Sequence, residues 1–418
     1  GDNNTAVGRS SLANNTTADN NTAFGYFALE ANTTGHSNVA VGYEALKTNV
    51  DGDGLVAIGY KALNVFEPSD GLRYTIAIGY EAGLACTAGG DNVFIGGLAG
   101  HDVTDGNNNV AIGKDALSTN VQGDRNTAVG FEALATMNPS GDVDTNNTGI
   151  GQKALTANTT GVNNTGIGSN ALDHNTTASN NTAVGFKSLT ANTTGAENVA
   201  VGDEALLANT TASQNTALGR RSLTTNTTGA NNTAVGREAL KNNTTGAGNT
   251  SVGRGALAAN TTATNCTAVG LAALSVNTTG NSSTAVGMNA LDANTTGAEN
   301  VGIGISALGS NTTAGEGVAV GAAALGANTT GALNTAVGAQ SLAANTTGAS
   351  NVAVGGYALN DNTTGASNTA VGRSAGAGVT TGARNTLVGN SAGTHGGDLT
   401  TGNDNICIGY DNGVQPTG

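Results

Sequence analysis

Thr5–Gly8 reads Thr-Ala-Val-Gly, Thr22–Gly25 reads Thr-Ala-Phe-Gly, and Val39–Gly42 reads Val-Ala-Val-Gly. Copies of this short segment recur along the whole chain of 418 residues and number 24. Of the 23 intervals between their glycines, 20 measure 17 residues and the others measure 20, 21 and 20. Composition alone does not produce so strict a period, which is typical of a repeat architecture.

Within each copy, β-branched and small residues alternate. The residue three positions before the glycine is Thr, Val or Ile in every copy, and the residue directly before it is Val or Ile except at Phe24 and Leu218. The residue between them is small except at Phe94 and Leu387. This alternation is typical of a β-strand, so the β-branched side chains should share one face and the alanine should take the other.

The rest of each copy reads as a bend, a short second segment and a polar turn. Ala-Leu follows shortly after the glycine, as at Ala45 and Leu46. Asn-Thr-Thr-Gly comes next and predicts a turn whose glycine tolerates a positive φ. Glycine replaces the leucine in five copies, at Gly83, Gly100, Gly376, Gly393 and Gly413.

A coil of this length cannot fold alone. Its Val and Leu side chains contribute ~1.5–3 kcal/mol each on burial, whereas ordering each residue costs about 1.5 kcal/mol. Stacking of coils supplies the remainder through backbone ladders and a continuous core. The sequence therefore predicts an all-β fold, a parallel β-solenoid or β-roll of about 24 coils that forms one elongated array over residues 1–418. Longer coils should carry inserted surface loops at 64–75, 135–146 and 393–405.

Asparagines recur with the same period. Identical asparagines stacked in register form ladders of side-chain amides. The same Asn-x-Thr triplets are acceptors for N-glycosylation in a secreted protein, which is the alternative interpretation. The residues concerned are Asn158, Asn175, Asn192, Asn209, Asn226, Asn243, Asn260, Asn277, Asn294, Asn311, Asn328, Asn345 and Asn362.

Composition argues against several classes of protein. Charged residues make up 11% of the chain, aromatic residues 3%, and tryptophan is absent, which is unlike a conventional enzyme domain. The apolar share of 38% argues against intrinsic disorder. The net charge of −14 offers no basic face for nucleic acid. No apolar run approaches ~20 residues, so this segment should not insert into a membrane.

No catalytic, metal or cofactor site emerges from the sequence. The four histidines, His36, His101, His174 and His395, fall in different coils, whereas a metal cluster or a triad needs its members within a few ångströms. Asp51 and Asp53 supply carboxylate oxygens, but no acidic residue stands where a calcium loop requires its last ligand. We expect no enzymatic activity and no bound cofactor.

Tyrosine follows the strand glycine in four successive coils, at Tyr26, Tyr43, Tyr60 and Tyr80. These side chains should form a stripe on a solvent-facing side of the solenoid. Such a stripe can stack on sugars or dock a partner, and it can equally consist of tyrosines that only pack on one another. The sequence leaves both interpretations open.

The segment Val39–Leu46 and the recurring Asn-Thr-Ala-Val-Gly core resemble the head repeats of trimeric autotransporter adhesins and the related repeats of phage and virus tail fibres. The resemblance implies a left-handed parallel β-roll, three chains around one axis, and a role on a cell or virion surface. The alanine face at Ala40, Ala57 and Ala77 would suit close approach of neighbouring chains. A single chain with a thin, alanine-rich core is the alternative.

Three functions follow as hypotheses. The first is a non-enzymatic structural or adhesive fibre shaft or head, located outside the cell, on the cell surface or on a virion. Its partners would be copies of itself in a homotrimer, and a cell-surface glycan or receptor. The second is an extracellular filament protein that assembles end to end. An ice-binding solenoid is the third and is less favoured, because the threonine pairs fall in turns beside glycine.

Overall fold

The computed structural model describes residues 1–67, 74–141, 143–394 and 399–411. It is all-β, and the described residues contain no α-helix. The fold prediction is confirmed, since strands recur about every 17 residues and successive strands pair in parallel. The chain divides into two compact units, Gly1–Ser213 and Gln214–Gly418, and each is a β-solenoid in its own right.

The strands of the N-terminal unit are short, and most contain three residues. They are β1 (Thr5–Val7), β2 (Thr22–Phe24), β3 (Val39–Val41), β4 (Val56–Ile58), β5 (Ile76–Ile78), β6 (Val93–Ile95), β7 (Val110–Ile112), β8 (Gly123–Asp124), β9 (Thr127–Val129), β10 (Val143–Asp144), β11 (Thr148–Ile150), β12 (Thr165–Ile167), β13 (Thr182–Val184) and β14 (Val199–Val201).

Within its described residues, the C-terminal unit repeats the pattern without extra strands. Its strands are β15 (Thr216–Leu218), β16 (Thr233–Val235), β17 (Thr250–Val252), β18 (Thr267–Val269), β19 (Thr284–Val286), β20 (Val301–Ile303), β21 (Val318–Val320), β22 (Thr335–Val337), β23 (Val352–Val354), β24 (Thr369–Val371), β25 (Thr386–Val388) and β26 (Ile406–Ile408).

Strands stack in strict register, so equivalent residues lie over one another. Ala183 pairs with Ala200, and Val184 pairs with Val201. The longer coil keeps this register, because β9 and β11 pair directly across the additional residues between them. Those residues contribute β10, which pairs in parallel with β8 as a separate small sheet.

The alanine of each strand points into the coil. Ala40, Ala57 and Ala77 are fully buried, together with the leucine of the same coil, such as Leu46. The β-branched residues on either side of the alanine face outward. The expectation that the alanine face contacts neighbouring chains is therefore wrong. The interior of a typical coil already holds the strand alanine, a second alanine, one leucine and two asparagines, so the larger β-branched side chains are placed outside.

Backbone hydrogen bonds join coils in the turns as well as in the strands. In the coil that begins at Thr182, the amide of Lys187 donates to the carbonyl of Ser169 at 3.0 Å. The amide of Leu189 donates in the opposite direction along the stack, to Ala205 at 2.9 Å. The turns of successive coils are thus joined by ladders of their own. Stacking therefore satisfies backbone N–H and C=O groups in the turns as well as in the strands.

The turns contain left-handed residues at positions that the sequence did not indicate. Lys187, Leu189 and Glu197 all have φ between 52° and 59°. The strand-end glycine Gly185 has a φ of 136°, and a Cβ atom there would lie 2.6 Å from a carbonyl oxygen of the next coil. Gly195 of the Asn-Thr-Thr-Gly turn has no positive φ. The turn therefore does not use the left-handed conformation that its glycine tolerates.

Two departures from the repeat compensate each other in the core. Phe94 occupies the usual alanine position, and the neighbouring Gly83 and Gly100 occupy leucine positions. A Cβ atom would lie 2.8 Å from the Phe94 ring at Gly83 and 2.4 Å from it at Gly100. The large ring therefore fills the volume that two missing leucines leave. The same exchange recurs around Leu387, whose side chain lies against Gly376 and Gly393.

Parts of the three predicted longer coils lie outside the described residues. The predicted loop 64–75 includes 68–73, and the predicted loop 393–405 includes 395–398, both outside the described ranges. Residue 142 in the loop 135–146 and the fifth leucine-position glycine, Gly413, also lie outside them.

Candidate functional site

The four predicted tyrosines form one continuous stack, which we call the tyrosine column. Ring centroids of Tyr26 and Tyr43 are 5.3 Å apart with an interplanar angle of 9°. The pairs Tyr43–Tyr60 and Tyr60–Tyr80 are each 5.2 Å apart, at 10° and 7°. Tyr43 and Tyr60 are about two-fifths exposed, at 41% and 40%, and Tyr80 is 55% exposed. The predicted stripe is thus brought together, on the surface of the N-terminal unit.

Stacking determines what this column can bind. Each inner ring is covered on both faces by its neighbours, which leaves its edge and hydroxyl group to solvent. The outer face of Tyr26 is covered as well, because the guanidinium of Arg9 lies 5.6 Å from the ring centroid and the ring of Phe27 lies 4.0 Å away, edge to face. Sugars and aromatic ligands stack on ring faces. The middle of the column therefore offers no platform for them.

Charged residues line one side of the tyrosine column. Lys47 donates to Glu44 at 3.1 Å, and Lys61 lies 3.9 Å from the same carboxylate. Partial desolvation, followed by the charge of Glu44, raises the pKa of Tyr43. The hydrogen bond from Tyr80 to Glu81 and the charge of that carboxylate raise the pKa of Tyr80. Both phenols therefore stay protonated at neutral pH and remain hydrogen-bond donors.

The asparagines of the Asn-Thr-Thr triplets form an internal ladder. The side-chain amide of Asn175 donates to Oδ1 of Asn158 at 2.9 Å, and that of Asn192 donates to Asn175 at 2.8 Å. Each amide nitrogen also donates to a backbone carbonyl three residues ahead, as from Asn192 to Gly195 at 2.8 Å. All members predicted from Asn158 to Asn362 are buried. A glycan needs an accessible amide nitrogen, so the folded coil favours the ladder interpretation.

A second asparagine ladder lies just before the strands. Oδ1 of Asn181 accepts from the backbone amide of Asn198 at 2.9 Å and from its side-chain amide at 3.2 Å. The first ladder ends at Asn362, whose Oδ1 is buried without a hydrogen-bond partner because Val379 follows in the next coil. The amides thus fix the register of the turns along each ladder.

The outward-facing first and third residues of each three-residue strand form what we call the strand face. In the C-terminal unit, Ile303 is 40% exposed and Val337 is 37% exposed. Every strand from β15 to β26 is free of charged residues. Leu271, Met288 and Ile305 follow three successive strand glycines and widen this apolar surface. Sequence reasoning missed it, because alternation shows which residues share a face but not which face points inward.

Threonines form a separate surface, which we call the threonine rank. The second threonine of each turn is exposed in ten consecutive coils of the C-terminal unit. The first threonine is held in place, since its hydroxyl donates to a carbonyl of the next coil, as from Thr329 to Thr346 at 3.0 Å. The exposed members are Thr228, Thr245, Thr262, Thr279, Thr296, Thr313, Thr330, Thr347, Thr364 and Thr381.

The histidines take part in separate local contacts. Nδ1 of His36 accepts from the amide of Asp19 at 2.9 Å, while His101 lies 3.8 Å from Glu81 and His174 contacts a carbonyl. His395 lies outside the described residues. Among the residues that the structure describes, no group of three or more His, Cys, Asp or Glu side chains could hold a metal ion.

The three cysteines are buried and form no disulfide. Cys266 stands in the column of the second asparagine ladder, and its thiol donates to the carbonyl of Gly280 at 3.3 Å. Burial raises the pKa of Cys266, and also that of Cys407. Cys407 occupies an alanine position inside its own coil.

Comparisons with known proteins leave the chain without an assigned family. No family model matches it, and no curated protein matches it with significant similarity. Within the described ranges, no helix has the length and apolar character that crossing a membrane requires.

Proposed function

We propose that this protein is a non-enzymatic structural module of a surface fibre, located outside the cell or on a virion, which associates side by side with copies of itself. The observation that carries the proposal is the strand face. Parallel sheets are normally covered on both faces, yet here the interior covers one face only. An uncharged surface that carries valine and isoleucine side chains beside threonines, repeated over many coils, marks an interaction site.

A second copy of the chain is the occupant that fits the strand face best. The ridges of this surface repeat with the spacing of stacked parallel strands, about 4.8 Å. Another copy offers ridges of the same spacing, so the two surfaces stay in register over many coils. The net charge of −14 per chain resides elsewhere, since no strand from β15 to β26 contributes to it. Three chains around one axis would cover the strand face, as in the adhesin heads that the repeats resemble.

Measurement of mass in solution tests this proposal. We expect sedimentation equilibrium to give three times the chain mass of 40.5 kDa. The variant Met288→Asp/Ile305→Asp places two charges beside the strand face and should be monomeric. Asp203 already occupies the same position in another coil, so the fold tolerates this residue there.

The matched control carries the same charges on another surface. Thr296→Asp/Thr313→Asp alters the threonine rank, where Asp105 stands in a different coil, and should keep the wild-type mass. A wild-type chain that is monomeric at all concentrations would overturn the proposal. A mass that rises without limit as concentration rises would support end-to-end filament assembly instead.

The threonine rank favours ice binding as a second candidate function. Its members present one hydroxyl and one methyl group per coil at a regular spacing, in ten consecutive coils. Their positions in turns made this hypothesis less favoured, but stacking aligns them into a regular array. Thermal hysteresis measures the activity. We would expect it in the wild-type chain and not in Thr296→Asp/Thr313→Asp, whereas no hysteresis in the wild type contradicts it.

A further inference from the structure

The tyrosine column ends abruptly at Gly97, which occupies the equivalent position in the coil after Tyr80. Gly97 has no positive φ, and a Cβ atom there would find no other atom within 4 Å. Neither backbone conformation nor crowding therefore requires glycine at this position. The missing side chain leaves the outer ring face of Tyr80 uncovered, and that ring is 55% exposed.

The gap that Gly97 leaves has the thickness of one ring. Stacked coils rise by about 4.8 Å, so the coils of Tyr80 and Lys114 are separated by about 10 Å across the Gly97 coil. Rings within the column lie 5.2–5.3 Å apart. One additional planar ring would thus stack on Tyr80 at the spacing of the column and fill the space below Lys114.

The walls of this slot are mainly apolar. The ammonium of Lys114 lies over the ring of Phe131 in the following coil, 5.5 Å from its centroid, and 2.5 Å from Asp115. Its ammonium group is therefore engaged by Phe131 and Asp115. Ile95 and Leu98 belong to the Gly97 coil itself and are half-buried there.

We propose that the slot between Tyr80 and Lys114 binds the aromatic side chain of a partner protein. An aromatic ring needs a ring face and apolar walls, which the slot supplies. A sugar ring needs several hydrogen-bonding groups for its hydroxyls, and the carboxylates of Glu81 and Asp115 already contact His101 and Lys114. The slot lies beside the strand face, but its test measures binding of a probe rather than mass in solution, so this proposal and self-association can fail separately.

The absence of tryptophan from the chain makes the test direct. N-acetyl-tryptophanamide at fixed concentration is titrated with the protein, and its indole emission reports the probe alone. We expect a saturable blue shift and a rise in anisotropy. Tyr80→Ala removes the stacking face and should weaken binding about tenfold.

Gly97→Tyr places the chain's own ring in the slot and should weaken binding by at least about tenfold as well. Gly97→Ser leaves the slot open and should bind like the wild type, since Ser169 occupies the same position in another coil. Gly356→Tyr adds a ring at the equivalent position of a coil whose stacked neighbours there are Ala339 and Arg373, and it should leave binding at the slot unchanged. If Gly97→Tyr does not fold, Tyr80→Ala and Gly97→Ser still decide the question.

Two results would overturn the proposal. One is an emission that shows no saturation, or that saturates equally in Gly97→Tyr. The other is displacement of the probe by a methyl pyranoside at lower concentration than by phenol, which would assign the slot to sugars. Loss of the blue shift in Tyr80→Ala together with its retention in Gly97→Ser supports it.

Discussion

Left-handed backbone at non-glycine residues is a recurring local cost of this fold at the scale of single residues. A non-glycine residue in this region costs roughly 1–2 kcal/mol, and one coil contains three, at Lys187, Leu189 and Glu197. The hydrogen bonds that these amides form with adjacent coils offset the cost. Such a turn is stable only inside a stack, which explains why the repeat is so strict.

The asparagine ladder allows the contribution of one hydrogen bond to be measured. Asn294 donates to Asn277 at 2.9 Å and accepts from Asn311 at 2.8 Å. Asn362 is equally buried and makes the same bonds, except that its Oδ1 has no donor. We predict that Asn294→Leu costs about 1–3 kcal/mol more unfolding free energy than Asn362→Leu, because only the former leaves a neighbouring amide without its acceptor.

Chemical denaturation of the two variants measures this difference. They are matched in residue type, burial and the added leucine, which Leu399 already shows to be acceptable in this column. Equal losses of stability would mean that the ladder bonds contribute nothing beyond packing.

Alkylation of Cys266 should depend on pH in a way that reports its burial. Desolvation raises the pKa of this thiol, so at a given pH the folded protein holds less thiolate than the unfolded chain does. We predict that the pH profile of iodoacetamide labelling at Cys266 lies at higher pH in the folded than in the unfolded protein, as followed by peptide mass spectrometry.

Titration of the Cys266 thiol also makes the stability of the folded state depend on pH. The unfolded chain releases the Cys266 proton first as pH rises past about 8.5, the ordinary thiol value, so the folded state loses stability above that pH. Cys266→Ser should remove this part of the pH dependence. Labelling of folded and unfolded protein with the same pH profile would contradict the raised pKa.

At the scale of the coil, adjacent coils share core volume. A large side chain in one coil fills the space where its neighbours have glycine in place of leucine. Phe94→Ala should cost about 3–5 kcal/mol, because the ring leaves a cavity between Gly83 and Gly100. Gly100→Leu alone should also destabilise, since its side chain would collide with Phe94. The triple variant Phe94→Ala/Gly83→Leu/Gly100→Leu restores the usual alanine and leucine arrangement. We predict that it recovers most of the stability that Phe94→Ala loses.

Thermal unfolding of the single and triple variants is the measurement. Since the three residues touch, their effects should be strongly non-additive. A triple variant no more stable than Phe94→Ala would show that the exchange does not set the core volume.

The period predicted the coil, its strand and its stacking, because each depends only on the order of residue types. The same reasoning could not predict which face of the strand points into the coil. Val184 is more apolar than Ala183, yet Ala183 is inside, because the interior of this coil already holds a leucine, a serine and two asparagines. Side-chain volume within a closed coil decides this point, and alternation carries no information about volume. The pairing of Phe94 with Gly100 was the available signal, since a large residue beside a missing leucine implies a shared interior.

The sequence predicted the position of the candidate site but not its detailed geometry. The spacing of Tyr26, Tyr43, Tyr60 and Tyr80 predicts a stripe, and the structure contains one. It does not predict that the rings cover one another, because that depends on the side-chain torsion angles. The sequence shows that the stripe ends at Gly97, but only the structure shows empty space there in which a side chain would fit.

At the scale of the whole molecule, stability should be a sum over coils and their interfaces. Each strand pairs only with its immediate neighbours in the stack, so removal of one complete coil joins two surfaces of the same kind. Deletion of residues 335–351 connects Asn334 to Val352, which reproduces the native junction between Asn351 and Val352. We predict that this deletion leaves a cooperatively folded protein whose urea m-value is lower in proportion to the lost length.

A deletion of eight residues from the same coil, 335–342, is the matched comparison. It removes β22 and the leucine of that coil but leaves its turn, so the asparagines and alanines of the remaining residues fall out of register with their neighbours. One-residue slips already reverse which face of a strand is buried, and a half-coil slip misplaces both ladders as well. We expect the shorter deletion to destabilise more than the longer one. Circular dichroism during urea unfolding measures both stabilities. A larger loss of stability in the longer deletion would contradict a stack whose structural unit is the whole coil.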